Sequence, residues 1–159
     1  MASASPHQPI RDFLAAHNTL TLATVGPEGE VHAAAVFYAL AADLRLIFLS
    51  DPASKHCQHI ANNPRVAVTI QADGQRWQRI TGMQLHGEAR PAADDARDIY
   101  LARFPFVYLA RTGPLARALK KVRFYQVHPH WIRIIDNRLG FGYKREWRVV
   151  DGRLELIRK

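Results

Sequence analysis

Residues 49–64 read LSDPASKHCQHIANNP. An apolar stretch, Leu44 to Leu49, runs into a small-residue loop holding Ser54 and Lys55. The chain then takes helical spacing from Lys55 to Ala61 before Asn62, Asn63 and Pro64 stop it. Proline cannot continue a helix, and it disfavours helical backbone in the residue before it. A strand, a loop and a short helix therefore follow one another. In the plain reading this is a connector in which Ser54 caps the helix. In the sharper reading the first helical turn offers free amides and a positive dipole end, and the Ser54 hydroxyl and Lys55 ammonium join them to hold an anion such as a phosphate. The residues alone leave both readings open.

Upstream, QPIRDFLAAH (residues 8–17) places Ile10, Phe13, Leu14 and His17 at helical spacing, with Pro9 tolerated in the first turn. Two extended runs follow, Thr19 to Val25 and Val31 to Leu40, joined by Gly26, Pro27, Glu28 and Gly29, and they predict a hairpin. A turn at residues 41–43 leads to a third strand, Leu44 to Ser50, apolar enough to be covered on both faces. Downstream, RVAVTI (65–70) is a fourth strand ending at the turn Ala72-Asp73-Gly74, and a long fifth strand is expected from Gln75 to Arg90 with Gly82 and Gly87 as bulge or bend positions. PAADDARDIYLARF (91–104) reads as a capped helix with an Ile99, Leu101, Phe104 stripe, and GPLARALKK (113–121) as a further helical turn. VRFYQV (122–127) and WIRIID (131–136) are two more strands, and a final hairpin crosses Asp151-Gly152. About seven short strands with two or three helices argue for a β-barrel with helical decoration, and against a parallel α/β sheet.

A chain of 159 residues suits one domain, residues 1–159, with residues 1–8 as a flexible tail. No apolar run approaches the roughly 20 residues that span a bilayer, and the N-terminus lacks a secretory pattern, so the cytoplasm is the expected compartment. A single cysteine, Cys57, agrees with a reducing environment and reads as a packed residue. The net charge of +8 is uneven: residues 1–99 carry 8 basic and 10 acidic side chains, residues 100–159 carry 14 and 4. Such a field attracts anions without choosing among nucleic acid, phosphorylated cofactors and acidic partners.

Taken together, the hairpin, the apolar strand, S-x-x-x-S-K-x-x-x-x-I-x-x-N-P-R-V (Ser50 to Val66) and G-x-x-x-x-G-E-A-R (Gly82 to Arg90) resemble the FMN-binding split barrel of the pyridoxamine 5'-phosphate oxidase superfamily over residues 10–136. DNRLGFGYKREW (136–147), with RFP (103–105) and VFY (36–38), is similar to its small bacterial YhbP-like branch. The resemblance implies a six- to seven-stranded antiparallel split barrel, homodimeric, with FMN at the subunit interface. It maps the phosphate site onto Ser54 and Lys55 and the end of the third strand onto Leu49 and Ser50. It also lays the backbone of His32, Ala33, Ala34, Ala35 and Val36 along the flavin. His32 and Tyr38 stand where the oxidases carry Arg and Lys, and His56 where they carry a second base. No counterpart of their C-terminal Arg and His pair is found, so vitamin B6 oxidation does not follow.

GFGYKR (140–145) offers Phe141 for stacking and Lys144 and Arg145 for anionic groups, and reads equally as a turn between strands. It lacks the third glycine and the strand-to-helix setting of a dinucleotide fingerprint. His56 and His59, or His128 and His130, could supply two metal ligands, but no further Cys or carboxylate cluster completes a site, so no metal is expected. No hydrolytic triad or carboxylate pair stands out. The leading expectation is a flavin oxidoreductase or carrier acting on a small molecule such as a reduced nicotinamide, with the flavin supplying the chemistry and no catalytic side chain identified. The alternatives are a haem- or deazaflavin-binding barrel using His32, His56 or His59, and a basic nucleic-acid binder with Tyr108, Phe124, Tyr125, Trp131 and Trp147 interleaved among the cations.

Overall fold

A computed structural model describes residues 8–158 of the chain. Alternation drives the first hairpin: in β1 (Thr19–Val25), Leu20, Leu22 and Thr24 are buried and their neighbours less so. Gly29, at φ 83°, turns the chain into β2 (Val31–Leu40), which pairs antiparallel with β1 along its length. β3 (Leu46–Ser50) adds to β2. After α2 (Lys55–Asn62), β4 (Arg65–Gln71) pairs with the other edge of β1, and β5 (Thr81–Pro91) pairs with β4.

The 14-residue β6 (Arg123–Asp136) decides the topology. One of its edges pairs with β5, while the other takes β3 along residues 123–127 and β7 (Lys144–Val150) along residues 131–135. Its pairing with β3 closes β3-β2-β1-β4-β5-β6 into a six-stranded antiparallel barrel, from which β7 and β8 (Arg153–Arg158) extend.

The barrel is filled by Leu20, Leu22, Phe48, Ile70, Leu85 and Ile132, all essentially inaccessible to solvent. α1 (Gln8–Ala16) adds Ile10 and Leu14 and is pinned by the buried Tyr38, whose hydroxyl donates to the Leu14 carbonyl at 2.6 Å. On the outer face of β3, Ile47 meets a second cluster made by Ala96 and Tyr100 of α3 (Ala96–Arg103) and by Phe104 at its end. Two short helices, α4 (Pro105–Leu109) and α5 (Gly113–Leu119), return the chain to β6. α2 packs against β1, β2 and β5.

Several boundaries differ from expectation. VRFYQV and WIRIID belong to one strand: Pro129, which lacks a backbone donor, sits where the outer edge of β6 changes partner from β3 to β7. The fifth strand starts at Thr81, because Trp77–Arg79 forms a 3-10 turn. The expected bulge occurs at Gly87, where the register against β6 shifts between His86 and Gly87, whereas Gly82 stays in regular pairing. The third strand begins at Leu46, since Leu44 takes φ 72°. In residues 91–104 helix starts only at Ala96, and the buried stripe is Ala96, Tyr100 and Phe104 instead of Ile99, Leu101 and Phe104. Among the described residues the strands number eight, six of them in the barrel. Of the expected tail, residues 1–7 lie outside the described residues, and Gln8 opens α1.

Candidate functional site

β3 ends at Ser50, the loop 51–54 turns back, and α2 starts at Lys55, so the end of a barrel strand and the first turn of a helix face each other. Ser50 Oγ lies 2.7 Å from His56 Nε2, Ser54 Oγ lies 3.2 Å from the same nitrogen, and the two hydroxyls are 3.3 Å apart. Ser54 occupies the N-cap position with extended backbone, yet its side chain makes no capping bond. The expected capping role of its hydroxyl is thus replaced by contact with Ser50 and His56. The Gln58 amide reaches the Ser54 carbonyl at 3.0 Å, while the amides of Lys55, His56 and Cys57 carry no hydrogen bond among the described residues. These are the donors that a helix start leaves open. The Lys55 side chain is exposed beside them.

Three imidazoles converge behind this cluster. His32, from β2, stacks nearly parallel to His56 with centroids 6.2 Å apart, and meets His59 edge-on at 6.0 Å. His59 is held on both sides, by Thr24 Oγ1 at 3.1 Å from Nδ1 and by Glu30 Oε1 at 3.4 Å from Nε2. Burial pushes the His56 imidazole below its ordinary pKa, so near neutrality it is an uncharged partner for the two serine hydroxyls. Glu30 is held below the usual carboxylate range, chiefly by a backbone hydrogen bond and further by His59 and Lys55. Thr24 and Glu30 are functional candidates that sequence reading missed. Their only signal is their place flanking a hairpin turn, which says nothing about the helix that later packs there.

The other predicted residues fall in different places. On β2, His32, Ala34 and Val36 are half-buried on the face toward α2 and the core, while Ala33 and Ala35 are exposed on the opposite face. Leu49 follows alternation to the outer face of β3 and packs with the α3 cluster, away from the Ser50 hydroxyl. Phe141 is 84% exposed and packs edge-on to Trp77, and Lys144 opposes Ile135. Both lie beyond or at the last residues of β6, whereas Ser50 opposes Arg123 at its first. Within one chain, therefore, GFGYK and the Ser50 cluster sit at opposite ends of that strand. Tyr38 is spent on α1. Among the described residues no group of three or more His, Cys, Asp or Glu side chains is arranged to hold a metal ion, and no helix is long and apolar enough to cross a membrane.

Residues 7–136 match the family model described as pyridoxamine 5'-phosphate oxidase. YhbP of Salmonella paratyphi B, a UPF0306 protein, is 34% identical over 125 residues, covering 76% of this chain and 78% of that one. Among solved structures, a pyridoxamine 5'-phosphate oxidase-related, FMN binding protein from Nostoc punctiforme superposes with a TM-score of 0.67 at 14% identity, covering 99% of both chains. A heme binding protein from Mycobacterium smegmatis superposes with a TM-score of 0.68 at 20% identity, covering 99% of this chain and 60% of that one. The closed six-strand barrel, the matched residues and the YhbP likeness agree: the chain belongs to the pyridoxamine 5'-phosphate oxidase family of split barrels.

Proposed function

We propose that this protein is a homodimeric FMN-binding flavoprotein, an oxidoreductase acting on a small molecule. One observation carries the reading: three unbonded first-turn amides and the Ser54 hydroxyl, which makes no capping bond, lie at the helix start against which Ser50 is folded, with the exposed Lys55 as its first residue. That donor set suits a phosphate dianion. The backbone of β2 and the end of β3 would carry the ring, and the exposed apolar face of β2 (Val31, Ala33, Ala35, Phe37) supports burial against a second copy. The partner's loop at Phe141 and Lys144 then has a route to the cofactor that its own chain lacks. Bound FMN supplies the electron transfer, and the protein supplies orientation, anion contacts and exclusion of water. The Nostoc punctiforme relative is described as FMN binding, which supports the same choice.

A second reading, haem, is favoured by the His32 ring, which has no hydrogen bond among the described residues and stands beside two further imidazoles, and by the haem-binding Mycobacterium smegmatis neighbour. The absorption spectrum and mass of what copurifies decide between them. Flavin bands in the near-ultraviolet and blue, with tight rebinding of FMN to stripped protein and a dimeric mass by light scattering, are expected. A Soret band that persists on purification, with no FMN binding, overturns the flavin reading.

A further inference from the structure

The outer face of β3 carries a groove unrelated to the Ser50 cluster. It lies between that strand, the start of β6 and the three helices α3, α4 and α5, with a volume of about 430 Å³. This falls in the size range of small-ligand sites. Leu49, Leu101, Val107 and Phe124 form an apolar floor, and Arg97, Arg111 and Lys120 stand on the lining, which contains no carboxylate. Arg97 and Lys120 have no side-chain hydrogen bond or ion pair among the described residues, and the contact of Arg111 is with the face of Tyr108, 5.5 Å from the ring centroid. The surroundings add to the imbalance, since residues 97–123 contain seven Lys or Arg and one acidic residue, Asp98.

An apolar cavity alone would admit any greasy molecule, and scattered cations alone would be an ordinary solvated surface. Here the two coincide. Three cations from three segments of chain stand on one apolar lining that holds no carboxylate, so the best occupant has an apolar body the size of one or two rings or a short aliphatic chain, and an anionic head. From this we infer that the groove between β3 and α3–α5 binds a small amphipathic carboxylate, with Arg97, Arg111 and Lys120 holding the carboxylate and Leu49 and Phe124 packing on the apolar body. The site goes beyond the FMN reading and shares no donor with it.

Naphthoate serves as the probe, and uncharged naphthamide as the control of equal shape. Calorimetric titration is expected to show naphthoate binding at least tenfold tighter than naphthamide, with NMR cross-relaxation from the ring protons to the methyl groups of Leu49, Leu101 and Val107. Arg111→Gln and Lys120→Gln, both at exposed positions, should each weaken naphthoate several-fold, leave naphthamide unchanged and keep the circular dichroism spectrum. Equal affinity for the two probes, methyl contacts elsewhere, or variants without effect would overturn the inference. Displacement of naphthoate by FMN would also overturn it, by making the groove part of the cofactor site. Loss of FMN binding in Lys55→Ala with naphthoate retained bears on the flavin reading alone.

Discussion

Ser50 and His56 sit 2.7 Å apart, hydroxyl to Nε2, although one ends a barrel strand and the other occupies the first turn of the helix that follows. The short loop between them folds a strand end onto a helix start, and the buried imidazole holds both serine hydroxyls at that point. Ser54 is thereby freed from the capping duty that its position would assign it. The amides of Lys55, His56 and Cys57 at that helix start carry no hydrogen bond among the described residues.

Lys55→Ala should weaken FMN by about 1.5 to 3 kcal/mol, roughly ten- to a hundredfold or somewhat more, if its ammonium meets the phosphate in a charge-assisted bond. Ser54→Ala should also weaken FMN while changing stability by less than the roughly 1 kcal/mol that loss of a capping serine costs, because its hydroxyl makes no capping bond. Flavin-fluorescence titration and urea unfolding read the two effects separately. A large stability loss in Ser54→Ala would return that residue to a structural role.

A methyl group at Gly87 would lie 2.2 Å from the His128 carbonyl oxygen, and its nearest obstacles are backbone, which cannot swing aside. Gly87→Ala should therefore cost roughly 3 kcal/mol, lowering the melting temperature by roughly 6 to 12 °C for a chain of this size. Gly82→Ala is the control. There the nearest atom is 3.6 Å from the new carbon, an ordinary contact, and stability should hold or rise slightly. Equal effects at the two glycines in a thermal melt would refute the bulge as the reason for Gly87.

How much of this was legible beforehand depends on the range of the interactions. The β1–β2 hairpin was readable because alternation and a Gly-Pro-Glu-Gly turn are local signals. The single strand β6 was not, because Pro129 looks like a break until one knows that the edge beside it is changing partner. Ser54 and Lys55 were legible as a helix start, but the His32, His56 and His59 convergence joins residues up to 27 positions apart and appears only when α2 packs under β2. Leu49 and Ser50, neighbours at the end of β3, point to opposite faces as strand alternation requires, so only Ser50 meets the helix start.

Arg45 ties three segments together: its guanidinium reaches Asp95 at 2.6 and 3.0 Å, Asp43 at 2.7 Å and the Gln126 amide oxygen at 2.8 Å. It is the link between β3's approach, the start of α3 and β6, and Gln126 is buried. Arg45→Met keeps the stem and removes the fork, leaving the Gln126 oxygen with the Ala93 amide alone and Asp43 and Asp95 without their guanidinium, and should cost about 1.5 to 3 kcal/mol. The pair Arg90 and Glu88, half-exposed on β5, should contribute less than about 1 kcal/mol. Chemical denaturation of Arg45→Met and Arg90→Ala at low and high salt checks the contrast, which fails if the two variants lose the same stability.

Burial holds both His56 and His128 below the ordinary histidine value of 6.5, with the nearby Arg90 and Arg45 charges adding to the effect at His128. The sign follows from proton counting. As pH falls through 6.5, the unfolded chain takes up protons that the folded chain refuses, so stability declines until the folded imidazoles protonate. Losses from Asp95 and Asp136, whose carboxyls Arg45 and Arg138 hold below 3.8, begin only at more acid pH. The groups facing His56 are His32 on β2, Ser50 on β3 and Ser54 beside it, with Lys55 next in sequence, so among the described residues no carboxylate hydrogen-bonds or pairs with it. A bound phosphate would supply the missing negative charge and raise its pKa. Urea unfolding at about pH 7.5 and about pH 5.5 should therefore show a stability loss on acidification, smaller in His56→Gln and smaller again when FMN is present. A wild-type stability that stays flat over this interval would mean that His56 is solvated, and a loss unchanged by FMN would separate the imidazole from the anion site.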